Sequence, residues 1–380
     1  MLSNSHWKGR PNRLAGLSQA DWAWQTEGMK HLLLTAVAAA SLILPALAQE
    51  PAPIPSPGEI AASAPASDWI AIAPSDLLVM DLAPDAKGKP RRVVIQLMPA
   101  PFSQGWIGNI RKLAAAHWWD GTSVNRVQDN YVAQWGDATE KKALPRGLAT
   151  VAESEYQTVS DGSIKTVWTS NGKQPARTMM VVVPTPKTPP SKKVADPYAS
   201  SYAFVAGMPL AVLSKVERGQ AKTSAEGERL PIWDYAVIDK AWPVHCYGMV
   251  GVGRNLSPDT GSGAELYTVI GHAPRHLDRN IAVVGRVIGG IEHLSSLPRG
   301  TGALGFYEDP AERVAIASIR LATELPAAQQ PRFEYLSTES ETFARYADAR
   351  QNRRDPFFIL PAGGADICNI PVPVRPVVAK

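Results

Sequence analysis

Cysteine is nearly missing from this chain: Cys246 and Cys368 are the two among 380 residues. So few exclude a small scaffold held by several disulfides, and they exclude the paired-cysteine spacing of a structural zinc site. His245 stands beside Cys246, yet no second ligand pair lies at zinc-like spacing, so both read as structural and no metal or cofactor is expected. Net charge is also small. The chain carries 39 basic and 35 acidic residues; setting aside residues 1–48, with four basic and two acidic, leaves 35 against 33. That balance gives no electrostatic case for nucleic acid or an acidic membrane as partner. No G-x-S-x-G elbow occurs, which removes that hydrolase route. Gly248-x-x-Gly251-x-Gly253 lacks βαβ surroundings and a suitably spaced acidic partner, so it does not read as a nucleotide loop. Internal repeats are absent.

The apolar stretch Leu32 to Leu44, broken by Thr35 and Ser41, falls short of the roughly 20 residues that a membrane-spanning helix needs. It follows Met29-Lys30-His31 and precedes Pro45-Ala46-Leu47-Ala48. A basic start, a short apolar core and a small-residue cleavage signal make residues 29–48 a signal peptide, cut after Ala48. Residues 1–28 then read as an upstream extension, with Met29 as the true start. No cysteine directly follows the cut, so no lipid anchor is expected there. The mature protein should be soluble, without stable membrane insertion, in the periplasm. That compartment permits a disulfide between the two cysteines, and two buried thiols are the alternative.

What is present is enough apolar residue, 45% of the chain, for one large domain or two modest ones. Residues 49–67, rich in Pro, Ala and Ser, read as a flexible leader. The folded part runs over 68–325. Strand-like runs fall at Leu77–Leu82 and Val93–Leu97 around a Pro84 to Pro90 turn, then at Ser123–Val127, Tyr131–Trp135, Met179–Val183, Met249–Val252, Leu266–Gly271, Ile281–Val287 and Arg313–Leu321. A helix is expected over Phe102–Ala116, its apolar stripe being Trp106, Ile107, Ile110, Leu113 and Ala114, with Ser103 able to cap. A second, short helix is expected at Ile288–Leu297. Many short strands and few helices favour a closed β-barrel over a doubly wound sheet. Residues 138–240 show little periodicity and hold a Pro/Lys patch at 184–193, expected to be an exposed loop. Residues 326–380 form a C-terminal extension with a helix candidate at Glu341–Arg350.

Residues 93–137 contain the turn Trp119-Asp120-Gly121, the strand Val124-Asn125-Arg126-Val127 and the ending Gln134-Trp135-Gly136-Asp137. In order and spacing this resembles the cyclophilins, whose early segment runs strand, helix, Tyr-Asp-Gly turn, Phe-His-Arg-Val and Gln-Gly-Gly-Asp. Further on, Gly248 to Asn255, Glu265 to Ile270, His276-Leu277-Asp278 and Val283-Val284-Gly285-Arg286-Val287 are similar to later family segments. The resemblance spans about residues 75–322, interrupted by the insertion at about 138–240. It implies a mainly β fold, a closed eight-stranded antiparallel barrel with two capping helices. It also implies peptidyl-prolyl cis-trans isomerase activity without metal or cofactor, on proline-containing polypeptides.

Peptide-bond rotation is slow because resonance makes the C–N bond partly double, with a barrier of roughly 20 kcal/mol. A guanidinium that donates to the prolyl nitrogen stabilises the twisted amide more than the flat one. By resemblance Arg126 is that donor, with Asn125, Tyr131, Gln134, Arg254, Tyr267, Val269 and His276 as substrate-binding residues. Several depart from the family: Asn125 stands where His is frequent, Tyr131 replaces Phe, Tyr267 a Gln, Val269 a pocket Phe, Arg254 an Asn and His276 a Trp. These departures sustain a second reading, a weak or inactive cyclophilin-fold chaperone or binding module of the cell envelope. If the signal reading holds, protein recovered from an exporting host begins at Gln49, as N-terminal sequencing would establish; retention of residues 29–48 overturns it.

Overall fold

Apolar residues recurring from Leu77 and again from Val93 form the hairpin expected there. Its strands are β1 (Leu77–Leu82) and β2 (Arg91–Leu97), antiparallel with Leu77 opposite Gln96. Asp85 closes the turn by accepting from the amides of Lys87 and Lys89 at 2.8 and 2.9 Å, the local bond that favours aspartate in turns. The computed structural model describes residues 53–377 apart from 160–163, 165, 170–171, 176–178, 181–197, 219–226 and 228–233. The readings made for residues 1–28, the signal at 29–48 and the patch at 184–193 lie outside the described residues.

Six further strands complete the barrel: β3 (Ser123–Val127), β4 (Val132–Gly136), β5 (Met249–Val252), β6 (Leu266–Val269), β7 (Val283–Gly289) and β8 (Val314–Leu321). Neighbours run β5-β6-β4-β3-β8-β1-β2-β7, and β7 returns to β5 to close the circle. The fold is therefore mainly β, a closed eight-stranded antiparallel barrel. Closure leaves no open edge among these strands.

Among the described residues the helices are α1 (Pro57–Ala62), α2 (Gln104–Ala115), α3 (Glu292–Ser295) and α4 (Glu341–Gln351). The predicted stripe of α2 is buried, and Trp106 also donates its indole N–H to the carbonyls of Thr260 and Gly261 at 3.0 and 3.1 Å. Ser103 does not cap it. Its backbone is left-handed, and its hydroxyl donates instead to the Val283 carbonyl at 2.7 Å, a buried acceptor on β7. The helix expected at Ile288–Leu297 shrinks to α3 because Gly289 still pairs with Val94 as the end of β7.

The described part of the 49–67 leader is ordered, contrary to its composition. Ser56 and Glu59 form a reciprocal capping box for α1, at 3.4 Å for Glu59 N to Ser56 Oγ and 2.7 Å for Ser56 N to Glu59 Oε2. The helix packs on α4, and Ile60 joins the common core. A helix of six residues cannot hold itself in water, and its partner lies at the other end of the chain, where composition alone does not look. The C-terminal extension is equally integrated. Its strand Phe333–Leu336 lies between Trp69–Ala71 and Val374–Pro376, and Phe343, Tyr346 and Ala347 of α4 share the barrel's core.

The insertion has two parts. Residues 138–157 wrap α2, where Asn109 exchanges two hydrogen bonds with Ala149 at 2.7 and 2.9 Å and Tyr156 stacks on Trp106 at 5.3 Å. Beyond them stands a second sheet. Its described strands are Thr158–Val159, Thr166–Thr169, Gly172–Pro175, Met179–Met180, Ser201–Val205, Met208–Arg218 and Asp234–Pro243, so the insertion ends slightly later than its sequence boundary at 240.

Cys246 and Cys368 form a disulfide that spans 122 residues and ties the C-terminal extension to the segment entering β5. A loop that long confines the unfolded chain by the equivalent of about 4–5 kcal/mol in the chain-entropy account. Reduction, or the double change Cys246→Ser and Cys368→Ser, should lower Tm, and reductant should have no further effect on the double variant. An unchanged Tm in calorimetry would contradict this.

Candidate active site

Val124 and Arg126 flank an irregularity in the β3–β4 ladder, after which Arg126 pairs directly with Gln134. A local bulge of this kind re-aims a side chain, and here it brings the Arg126 guanidinium over its cross-strand neighbour. Arg126 donates from Nη1 to Gln134 Oε1 at 3.0 Å, from Nε to the Leu304 carbonyl at 2.7 Å, and from Nη2 to Gln128 Oε1. All three acceptors are neutral. Among the described residues no carboxylate forms an ion pair with it. Its Cζ lies 5.7 Å from the Tyr131 ring centroid and 5.3 Å from that of Phe306, within cation–π range. Burial lowers its pKa, and the neighbouring Tyr131 and Tyr267 act in the opposite sense. Arginine still keeps its charge at any physiological pH. A guanidinium has five N–H donors, so three intramolecular bonds leave donors for a ligand.

Beside it lies a small apolar cluster separate from the main core. Val132, Tyr267 and Val269 are buried in it, with Tyr131 and Ile281 packed against them. The pairing of β6 with β4 sets Tyr267 opposite Gln134, and Val269 opposite Val132, so the polar and apolar halves share one stretch of ladder. Tyr267 leans the other way, across β5, over Gly251. A Cβ at residue 251 would stand 2.3 Å from the phenol oxygen, so only glycine admits the ring.

The remaining sequence-predicted residues are placed unequally. Asn125 is buried, and its Oδ1 has no hydrogen-bond partner. Arg254 ties its own loop to the segment leading to Ile281, donating to the carbonyls of Asn280 and Asn255 at 3.0 and 2.6 Å. His276 is exposed on the single turn Arg275–Leu277, and no hydrogen bond among the described residues joins its side chain to the cluster. The structure therefore gathers Arg126, Tyr131, Gln134, Tyr267 and Val269, keeps Asn125 and Arg254 adjacent, and leaves His276 apart.

Several members of the site were not legible in the sequence. Leu304 and Phe306 come from a loop laid over β3 by bonds from Gly300 N to the Val127 carbonyl at 2.9 Å and from Tyr307 N to the Asn125 carbonyl at 3.0 Å. The closely spaced Gly300, Gly302 and Gly305 were its one sequence signal. Glu265 is the other. It sits over Gly136, where a Cβ would come within 1.9 Å of Oε1, and its buried Oε2 has no partner. Among the described residues no group of three or more His, Cys, Asp or Glu converges as a metal site, and no helix is long and apolar enough to cross a membrane.

A family model described as cyclophilin type peptidyl-prolyl cis-trans isomerase/CLD matches residues 91–321. A search of curated protein sequences gives no significant match. Among solved structures, the cyclophilin AquaCyp293 from Hirschia baltica is 20% identical, with TM-score 0.55, over 82% of this chain and 94% of that one. This is a likeness of fold. A Cryptosporidium parvum cyclophilin type peptidyl-prolyl cis-trans isomerase, crystallised in the presence of the dipeptide Ala-Pro, is 9% identical with TM-score 0.31, over 64% of this chain and 98% of that one. The family match takes in more than half of the chain and reaches from β2 to the end of β8, so this protein belongs to the cyclophilin-type peptidyl-prolyl cis-trans isomerases.

Proposed function

We propose that this chain accelerates rotation about X–Pro bonds of exported proteins in the cell envelope, with Arg126 donating to the prolyl nitrogen as the amide twists. The supporting observation is the setting of Arg126: a charge without a counter-ion among the described residues, held by neutral acceptors beside an apolar cluster. Tyr131 and Ile281, the partly exposed members of the cluster, offer apolar surface to a pyrrolidine ring, backed by the buried Val132, Tyr267 and Val269. In the planar ground state the imide nitrogen's lone pair is delocalised and is a poor acceptor; in the twisted state it becomes a good one. A donor at that position therefore binds the transition state more strongly than either planar isomer. Pre-set bonds to Leu304, Gln128 and Gln134 mean that the guanidinium need not reorganise during the reaction.

Location in the envelope, and a role in folding there, rest on the signal peptide read at residues 29–48. Slow X-Pro isomerisation limits folding for tens of seconds, and accelerating it is useful wherever chains arrive unfolded.

Mature protein should catalyse isomerisation of a proline-containing tetrapeptide, and Arg126→Ala should lower kcat/KM by about 100- to 1,000-fold, the range for loss of one pre-organised donor. Equal rates for the two proteins would remove the catalytic assignment and leave a binding module.

Glu265 generates a pH prediction. Burial pushes its carboxyl up to about 7, against the opposing influence of the Asp137 backbone, Gln134 and Asn125. Because the folded-state value lies above the unfolded one, the folded protein holds the extra proton between them. The stability this confers is present in full at low pH and is lost as pH rises through about 7. Tm should therefore fall from pH 5 to pH 8, and Glu265→Gln should flatten that slope. A parallel slope in the variant would count against a protonated Glu265.

A further inference from the structure

Tyr267 is a departure from the family pattern inside the apolar cluster, and its hydroxyl is engaged. It lies 2.9 Å from His245 Nε2. His245 Nδ1 in turn lies 2.9 Å from Asp278 Oδ1, which also accepts the His245 backbone amide at 2.9 Å. Asp278 Oδ2 accepts from Arg275 Nε at 2.6 Å, and Arg275 Nη1 donates to Asp366 Oδ2 at 3.2 Å. His245, Tyr267, Asp278 and Arg275 are all buried. Asp366 belongs to the C-terminal extension and accepts the Cys368 amide at 2.8 Å, next to the disulfide that holds the extension to Cys246. The Arg275 guanidinium also lies over the rings of Tyr198 and Tyr202 from the insertion, at 5.1 and 5.7 Å.

The donor and acceptor roles follow from chemistry. A carboxylate beside Arg275 only accepts, so Nδ1 of His245 carries a proton, which in the neutral imidazole leaves Nε2 as the acceptor. Against that tautomer the Tyr267 hydroxyl donates to Nε2. This bond, together with the near-parallel packing of the two rings at 10°, sets where the phenol lies across Gly251 and against Val132, Val269, Tyr131 and Ile281.

We propose that His245, Asp278 and Arg275 are positioning residues that hold Tyr267 as a wall of the prolyl pocket, and that the C-terminal extension takes part in substrate binding through Asp366. The inference rests on the prolyl site proposed above. It gives the extension and the insertion a place in substrate recognition, since both meet at Arg275, the far end of the relay.

The experiment compares wild type, Tyr267→Phe, Asp366→Asn and the double variant in Kd for a proline-containing tetrapeptide, in KM and kcat, and in Tm. Phenylalanine keeps the ring and removes only the hydroxyl. Asparagine keeps an acceptor for the Cys368 amide and removes the charge facing Arg275. Tyr267→Phe should raise KM and Kd by about three- to ten-fold, the worth of one hydrogen bond, with kcat unchanged within a factor of two. Asp366→Asn should raise them less, and the double variant should match Tyr267→Phe alone, because both act through the same hydroxyl. Nitrogen NMR should find His245 protonated at Nδ1, with its Nε2 resonance moving in each single variant. KM and Kd within a factor of two of wild type in both single variants, or effects that multiply independently in the double, overturn the proposal, as does a wild type that binds no peptide. Failure of the catalytic reading looks different: Arg126→Ala then leaves kcat intact while the Kd comparison still decides the relay.

Discussion

A guanidinium with no carboxylate beside it among the described residues is the constraint on which this site depends. Most buried or half-buried arginines are paired, because removing an isolated charge from water is costly. Arg126 escapes that requirement by spreading three donors over neutral oxygens and lying against two aromatic rings. An ion pair would have stabilised the guanidinium more strongly and, on the mechanism proposed above, left it less able to respond to a twisting amide. The neutral frame keeps the field available, while backbone and amide acceptors fix its direction.

That frame draws on distant parts of the chain. Gln134 is the cross-strand neighbour, Gln128 lies just past the end of β3, and the Leu304 carbonyl arrives on a loop preceding β8. On the far side of the apolar cluster, Tyr267 is oriented by His245 and Asp278, which reach through Arg275 to the C-terminal extension. The leader and extension are thus no appendages. They share one core with the barrel, and a disulfide joins the extension to the segment that enters the strand facing Tyr267.

Much of the barrel was legible because its strands carry local signals. Leu77–Leu82, Ser123–Val127 and Met249–Val252 form with the limits their apolar runs indicate. The α2 stripe is equally plain, since the helical period places Trp106, Ile110 and Leu113 on one face. Misreadings occur where a tertiary partner outcompetes a local preference. Ser103 gives up capping for a carbonyl on β7, β7 continues through Gly289 at the expense of the next helix, and α1 exists because α4 covers it. The second sheet escaped notice because its strands find partners across the insertion, with Ser201–Val205 pairing both to Met208–Arg218 and to Thr166–Thr169.

By itself the sequence determined the family and the barrel, and it singled out the arginine on which the proposal rests, because a strand, a turn and a following strand in fixed order are short-range patterns that a linear reading preserves. Which neutral atoms hold that arginine, which way Tyr267 leans, and why residue 251 is glycine were decided only by the tertiary structure. The physical reason is that hydrogen-bond partners and close approaches depend on where strands, loops and extension meet in space. Glu265 illustrates the division: the chain supplies an ordinary carboxylate, and burial over Gly136 moves its titration toward neutrality.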